Sequence, residues 1–178
     1  MRGRGLSFAM GLVVAAFASA GWVWAQGRTN SGAFTDQDYA AIHQLYARYA
    51  QGTDFGNAEM WLNVFTEDAV FRPTASQDKR RGASPTEFRG RQAMTKWRMD
   101  NFAARRPNYN YRHWTGSWVI TPGPNGSARG RVYWMAFDPT ARPLAVGDTG
   151  VYEDVYEKTR DGWRIKERTA YGDPRPAD

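Results

Sequence analysis

The 178-residue chain has no cysteine and only two histidines, His43 and His113. Without thiols there is no disulfide, so packing alone must hold the fold. Two histidines and no cysteine also rule out a zinc site of the Cys/His kind. The chain lacks a Gly-rich phosphate loop, a G-x-S-x-G elbow and a paired-histidine helix motif. Chemistry is therefore left to ordinary acids and bases, and neither a metal nor an organic cofactor is expected. Basic runs are scarce as well. The formal net charge is +6, which falls to +4 without Arg2 and Arg4, and only Lys79-Arg80-Arg81 and Arg105-Arg106 cluster. With acidic residues interleaved elsewhere, this pattern describes solvated loops rather than a nucleic-acid footprint.

The one long apolar run lies at the start. Arg2 and Arg4 precede an apolar stretch from Leu6 to Val23, and Val23 and Ala25 stand three and one residues before a possible cut. This is the layout of a secretory signal peptide over residues 1–25, so an exported protein, periplasmic or secreted, is expected. No second such run follows, so no stable membrane span is expected after processing. Residues 26–34 read as a flexible tether, 35–172 as one domain and 173–178 as a C-terminal tail. The processed chain, about 150 residues, is the usual size for one domain with one core.

Within the domain, Thr35 is the expected N-cap of a helix whose Tyr39, Ile42, Leu45, Tyr46 and Tyr49 recur at helical spacing. A second, short helix is expected from about Ala58 to Phe65, then a strand, "AVFRP", ended by Pro73. The polar, basic "ASQDKRRGASPTEF" is longer than a compact domain usually needs, which suits a rim or lid. A third helix follows in "GRQAMTKWRMDNFAARR", with Ala93, Met94, Trp97 and Phe102 forming much of its apolar stripe. After Pro107 come four segments rich in aromatic and β-branched residues, separated by "PGPNG", "PTARP" and "RDG". Three helices and a strand followed by a four-strand meander predict an α+β fold, with helices on one face of a curved antiparallel sheet.

Two polar residues stand out against this frame. His113 begins a strand, and alternation places His113, Thr115, Ser117 and Val119 on one face, with Trp114, Trp118 and Ile120 on the other. That face is too polar for core and suits a pocket wall, although from the strand alone a half-buried structural histidine bonded to a neighbour is the better reading. Asp54 follows the first helix, five residues after Tyr49. It is either a cap for the next helix or the carboxylate that orients an imidazole as a general base. Asn57 is the nearer cap, which frees Asp54 for the second role. His43, off the apolar stripe, reads as a surface residue.

The segments "YARYAQGTDFGNAEMWLNVFTEDAVF", "FRGRQAM", "YRHWTGSWVI" and "VYEDVYEKTRDGWRIKERTAY" resemble, in order and spacing, the SnoaL-like proteins of the NTF2-like superfamily. The resemblance spans about Thr35 to Tyr171. It implies a cone-shaped curved sheet wrapped by three N-terminal helices around one deep pocket, and a homo-oligomer, dimer or trimer. Some dehydratases and a dehydrochlorinase of that superfamily use an Asp–His dyad, and Asp54 and His113 fall on its two positions. Tyr49 matches a functional tyrosine of one such enzyme, and Arg168 an arginine near the pocket in some relatives.

The resemblance thus implies a cofactor-independent lyase, a dehydratase or another β-eliminating enzyme. His113 would be its base, Asp54 the orienting carboxylate and Tyr49 a hydrogen-bond or proton donor. Tyr46, Trp97, Ser117 and Arg168 complete the set as candidate substrate-binding residues. Eight tryptophans, nine tyrosines and nine phenylalanines suit an aromatic-lined pocket and a small, ring-bearing substrate. The superfamily also holds isomerases and non-catalytic binding proteins, and both remain alternatives.

Overall fold

Helix α1, Asp36–Asp54, starts where the sequence places its cap. The Thr35 hydroxyl accepts the Asp38 N–H at 3.3 Å, and the Asp38 carboxylate accepts the Thr35 N–H at 2.9 Å, a reciprocal capping box. The structure is a computed structural model that describes residues 34–76, 86–105 and 109–174. The expected signal segment, nearly all of the tether, most of the basic loop and residues 175–178 lie outside the described residues. All described residues belong to the unit Phe34–Asp178. No helix among them is long and apolar enough to cross a membrane.

Ile42, Leu45, Tyr46 and Tyr49 turn one face of α1 into the core, each at most 6% exposed. Tyr39, expected on that stripe, sits at its margin and spends its hydroxyl on the Ile120 carbonyl at 3.3 Å. Helix α2, Ala58–Leu62, is capped by Asn57, whose Oδ1 accepts the Met60 N–H at 2.9 Å. The two helices touch at Gly52, where a Cβ would lie 2.8 Å from the Trp61 backbone nitrogen, so only glycine fits. α2 stops three residues before the expected Phe65, because Val64 accepts a hydrogen bond from Ile165 N–H at 2.8 Å and leads into the sheet.

The sheet comprises β1 (Phe65–Ser76), β2 (Phe88–Arg89), β3 (Arg112–Pro122), β4 (Ser127–Asp138), β5 (Ala145–Thr159) and β6 (Gly162–Gly172). Helix α3, Gly90–Ala103, lies between β2 and β3. The strand order is β2-β1-β6-β5-β4-β3, so the predicted meander of β3 to β6 is present. β1 joins it by a parallel pairing with β6, the one parallel step in the described sheet. The whole is an α+β fold with a curved, unclosed sheet.

Two local expectations differ. β1 begins earlier than "AVFRP" and runs through Pro73. Its register against β6 shifts between Arg72 and Ala75, so the missing proline N–H falls where the ladder is already interrupted. β3 slips against β4 between Gly116 and Val119, and Ser117 adopts φ +53°. This bulge reverses the in/out alternation. Val119 becomes 63% exposed and Ile120 enters the core, the opposite of a regular strand.

The core packs Trp61, Phe65, Phe71, Met94, Val132 and Ile165 between helices and sheet. One polar clamp closes its edge. Asp38, nearly buried, accepts Lys158 Nζ and Trp163 Nε1, each at 2.7 Å, and so ties the start of α1 to the β5–β6 hairpin. The Lys158 and Trp163 hydrogen bonds hold its carboxyl far below the usual aspartate range. A depressed folded-state pKa adds stability above the unfolded value, roughly 3.9, and that share is lost as pH falls below it. Urea titrations should therefore show wild type more stable than Asp38→Asn at pH 7. The gap should narrow steadily below about pH 4; a gap unchanged by acid would contradict the clamp.

Candidate functional site

Asp54 is the last residue of α1, not the cap of α2, and it faces β3. β3 is an edge strand, so one row of its amides has no neighbouring strand. Asp54 Oδ2 accepts the His113 N–H at 3.0 Å, while Oδ1 lies 2.5 Å from His113 Nδ1. Both carboxylate oxygens are thus spent on one residue. The side chains are 4% and 15% exposed respectively, so little water competes for the contact. A carboxylate is acceptor-only, so the pairing places a proton on Nδ1, and in the neutral ring Nε2 then carries the lone pair. This is the arrangement a general base needs. A cleft of about 520 Å³ between α1 and β3 reaches the pair, walled by Ala47, Ala50, Phe55 and Trp114, with Gln51 and Arg112 as polar members.

Tyr49 is 6% exposed and is joined to His113 through a chain of ring contacts. His113 lies 6.4 Å from Trp134, Trp134 stacks on Tyr152 at 5.5 Å, and Tyr152 meets Tyr49 edge-on at 5.6 Å. Burial pushes the Tyr152 hydroxyl well up, so it stays a proton-bearing donor.

Arg168 is fully buried and held by a bidentate bond to Asp154, Nε to Oδ1 at 2.8 Å and Nη2 to Oδ2 at 2.7 Å. Its guanidinium lies 4.3 Å from the ring centres of both Tyr49 and Tyr152 and 4.8 Å from that of Tyr46. The Tyr46 hydroxyl donates to Asp154 Oδ2 at 2.5 Å and also meets the Tyr156 hydroxyl. Burial, then the Asp154 carboxylate, raise the Tyr46 hydroxyl well above its ordinary range. Tyr156 lies across Gly130, where any Cβ would collide with its ring. Of the residues expected to bind substrate, Tyr46 lines the cleft beside Asp54 and His113 with its hydroxyl committed to a buried ionic network, and Arg168 lies wholly inside that network, where only its Nη1 has no partner.

Trp97 is half-buried and packs on Phe71, Phe88 and Trp61 at 4.9, 5.6 and 5.8 Å. Ser117 is exposed in the β3 bulge and lines a different, outer cavity with Trp114, Tyr133 and Met135. The alternation that put Ser117 beside His113 fails because the extra residue of the bulge turns it away. His43, exposed as expected, lies against Trp118 at 4.7 Å. No cluster of three or more metal-ligating residues occurs among the described residues.

Sequence reasoning missed Asp154, Tyr152 and Tyr156. Their signal was the i, i+2, i+4 spacing in "VYEDVYEK", which puts a carboxylate between two tyrosines on one strand face. It also missed Arg98, four residues after the buried Met94 and hence on the same side of α3.

A family profile described as a SnoaL-like domain matches residues 35–169. No curated protein matches the chain in sequence. Among solved structures, the chain is similar to a protein of unknown function with a cystatin-like fold from Nostoc punctiforme PCC 73102. The two share 18% identity over 79% of this chain and 95% of that one, with a TM-score of 0.65. It is also similar to an NTF2-like protein with a cystatin-like fold from Novosphingobium aromaticivorans, at 18% identity, 91% and 92% coverage and a TM-score of 0.61. ActVI-ORFA from Streptomyces coelicolor aligns at 20% identity over 76% of this chain and 97% of its own, also with a TM-score of 0.61. At such identities these likenesses concern the fold.

Asp154→Asn should strip the counter-charge from a fully buried guanidinium, and breaking such a pair costs about 3–5 kcal/mol. Equilibrium urea denaturation reads that loss directly. A loss under about 1 kcal/mol would contradict the ionic network as a keystone of this wall.

Proposed function

The chain belongs to the SnoaL-like domain family, and from that premise we propose that it is a cofactor-independent lyase acting on a small, ring-bearing substrate. The observation that supports this best is the 2.5 Å contact between His113 Nδ1 and Asp54 Oδ1. With Nδ1 committed, Nε2 takes a proton from a carbon of the substrate. The C–H electron pair becomes the new C=C bond, and the leaving group departs with the electrons of its own bond to carbon. Asp54 holds the ring in the accepting tautomer and offsets the charge of the imidazolium that forms. Tyr49, behind Trp134 and Tyr152 rather than on the wall of the cleft, is the candidate donor of a hydroxyl to the leaving group or to a substrate carbonyl.

A general base typically contributes ~10²–10⁴-fold, and residues acting as one unit are strongly non-additive. The purified protein should release water or halide from one or more hydroxylated or halogenated ring compounds. Asp54→Asn and His113→Ala should each lose turnover of roughly that size while remaining folded, and the double variant should be little worse than the worse single one. Unchanged turnover in folded Asp54→Asn would overturn the proposal and leave a binding protein as the surviving account.

A further inference from the structure

Arg98 is a buried cation without a counter-ion. It is 2% exposed, and its guanidinium lies 4.1 Å from the Trp61 ring centre, 4.7 Å from that of Trp97 and 5.0 Å from that of Phe102. Its two hydrogen bonds, Nη2 to Thr53 Oγ1 and Nη1 to Asn101 Oδ1, are both 3.5 Å long, at the limit of such bonds. Nε has no partner, and no carboxylate of the described residues pairs with the group. Arg168, equally buried, has Asp154. Burial pulls Arg98 down to about 10, and the neighbouring Arg105 works in the same direction.

The position is as informative as the deficit. Thr53, which Arg98 reaches, immediately precedes Asp54. Arg105 donates to the Thr53 carbonyl and so caps the C-terminal end of α1, whose own last turn has no basic residue. That accounts for Arg105 but not for Arg98, whose bonds are side chain to side chain. Arg98 is also in electrostatic reach of Tyr49, Tyr152 and Tyr109, and Tyr109 in turn of Asp54. Among the described residues, the other buried side-chain atoms lacking partners are Trp61 Nε1, Arg105 Nε, Trp134 Nε1 and Arg168 Nη1. With Arg98 Nε, every one of them is an N–H donor. An interior that is short only of acceptors matches an occupant rich in anionic oxygen.

We propose that the substrate carries a carboxylate on its ring system, and that Arg98 is the residue that binds it. The fork of the guanidinium pairs with the carboxylate, the Trp61 and Trp97 faces hold it in orientation, and the reacting carbon is carried toward His113. This rests on the lyase proposal for the placement of the reacting carbon, but the anion site itself is tested without turnover.

Benzoate and 1-naphthoate, with benzyl alcohol and 1-naphthalenemethanol as neutral counterparts, serve as probes in calorimetric titrations of the full chain. A carboxylate should bind at least about tenfold more tightly than its alcohol, in line with the worth of a charge-assisted bond. Arg98→Met should erase that preference, whereas His113→Ala should keep it, so a failed lyase proposal and a failed anion site give different results. Arg98→Lys, which keeps the charge and loses the fork, should weaken carboxylate binding and covers the case in which Arg98→Met does not fold. Equal affinity for acid and alcohol, no binding of either carboxylate, or an unchanged preference in Arg98→Met or Arg98→Lys would overturn the proposal.

Discussion

One carboxylate joins the two halves of this fold at the place where they must meet. Asp54 is the last residue of α1, and His113 is the second residue of β3, the strand that begins the meander. Because Asp54 takes both the backbone N–H and the ring nitrogen of His113, the contact does structural and chemical work at once. The amide bond fixes where β3 starts relative to α1. The ring bond then fixes which imidazole nitrogen is free. A residue used only as a helix cap would have neither consequence, and Asn57 already performs the capping.

Behind that contact, the helix-covered side of the sheet buries two arginines, Arg98 and Arg168, among aromatic rings. Arg168 is stabilised by Asp154 and by the tyrosines that share the same carboxylate, a closed network in which almost every atom is satisfied. Arg98 has only ring faces and two long bonds. Cation–π contacts soften the cost of burial, but they do not supply the acceptors a guanidinium needs. The contrast between two arginines on one side of one domain separates a structural cation from one that awaits a partner.

The local chemistry of the sequence carried much of this. Thr35 and Asn57 are caps because their side chains satisfy amides three residues away, a relation visible in the sequence. The meander was legible from its turn residues, and the Asp54–His113 juxtaposition from the order of motifs. What escaped depends on pairing between distant segments. The bulge at Ser117 is a mismatch between β3 and β4, and nothing in "RHWTGSWVIT" alone announces it. Pro73 reads as a strand end until the β6 partner shows that the ladder is already broken there. Arg168 and the Tyr46 hydroxyl look available for a ligand until Asp154, distant from both in sequence, claims them.

The claim on which the rest depends is that Asp54 holds His113 in one tautomer. Nitrogen-15 NMR of the imidazole in the folded protein at neutral pH reads it directly. The account predicts a protonated Nδ1 with its proton shifted far downfield by the Asp54 bond, an unprotonated Nε2, and loss of that downfield proton in Asp54→Asn. A His113 ring with the proton on Nε2, or with the mixed tautomers of a free imidazole, would contradict it.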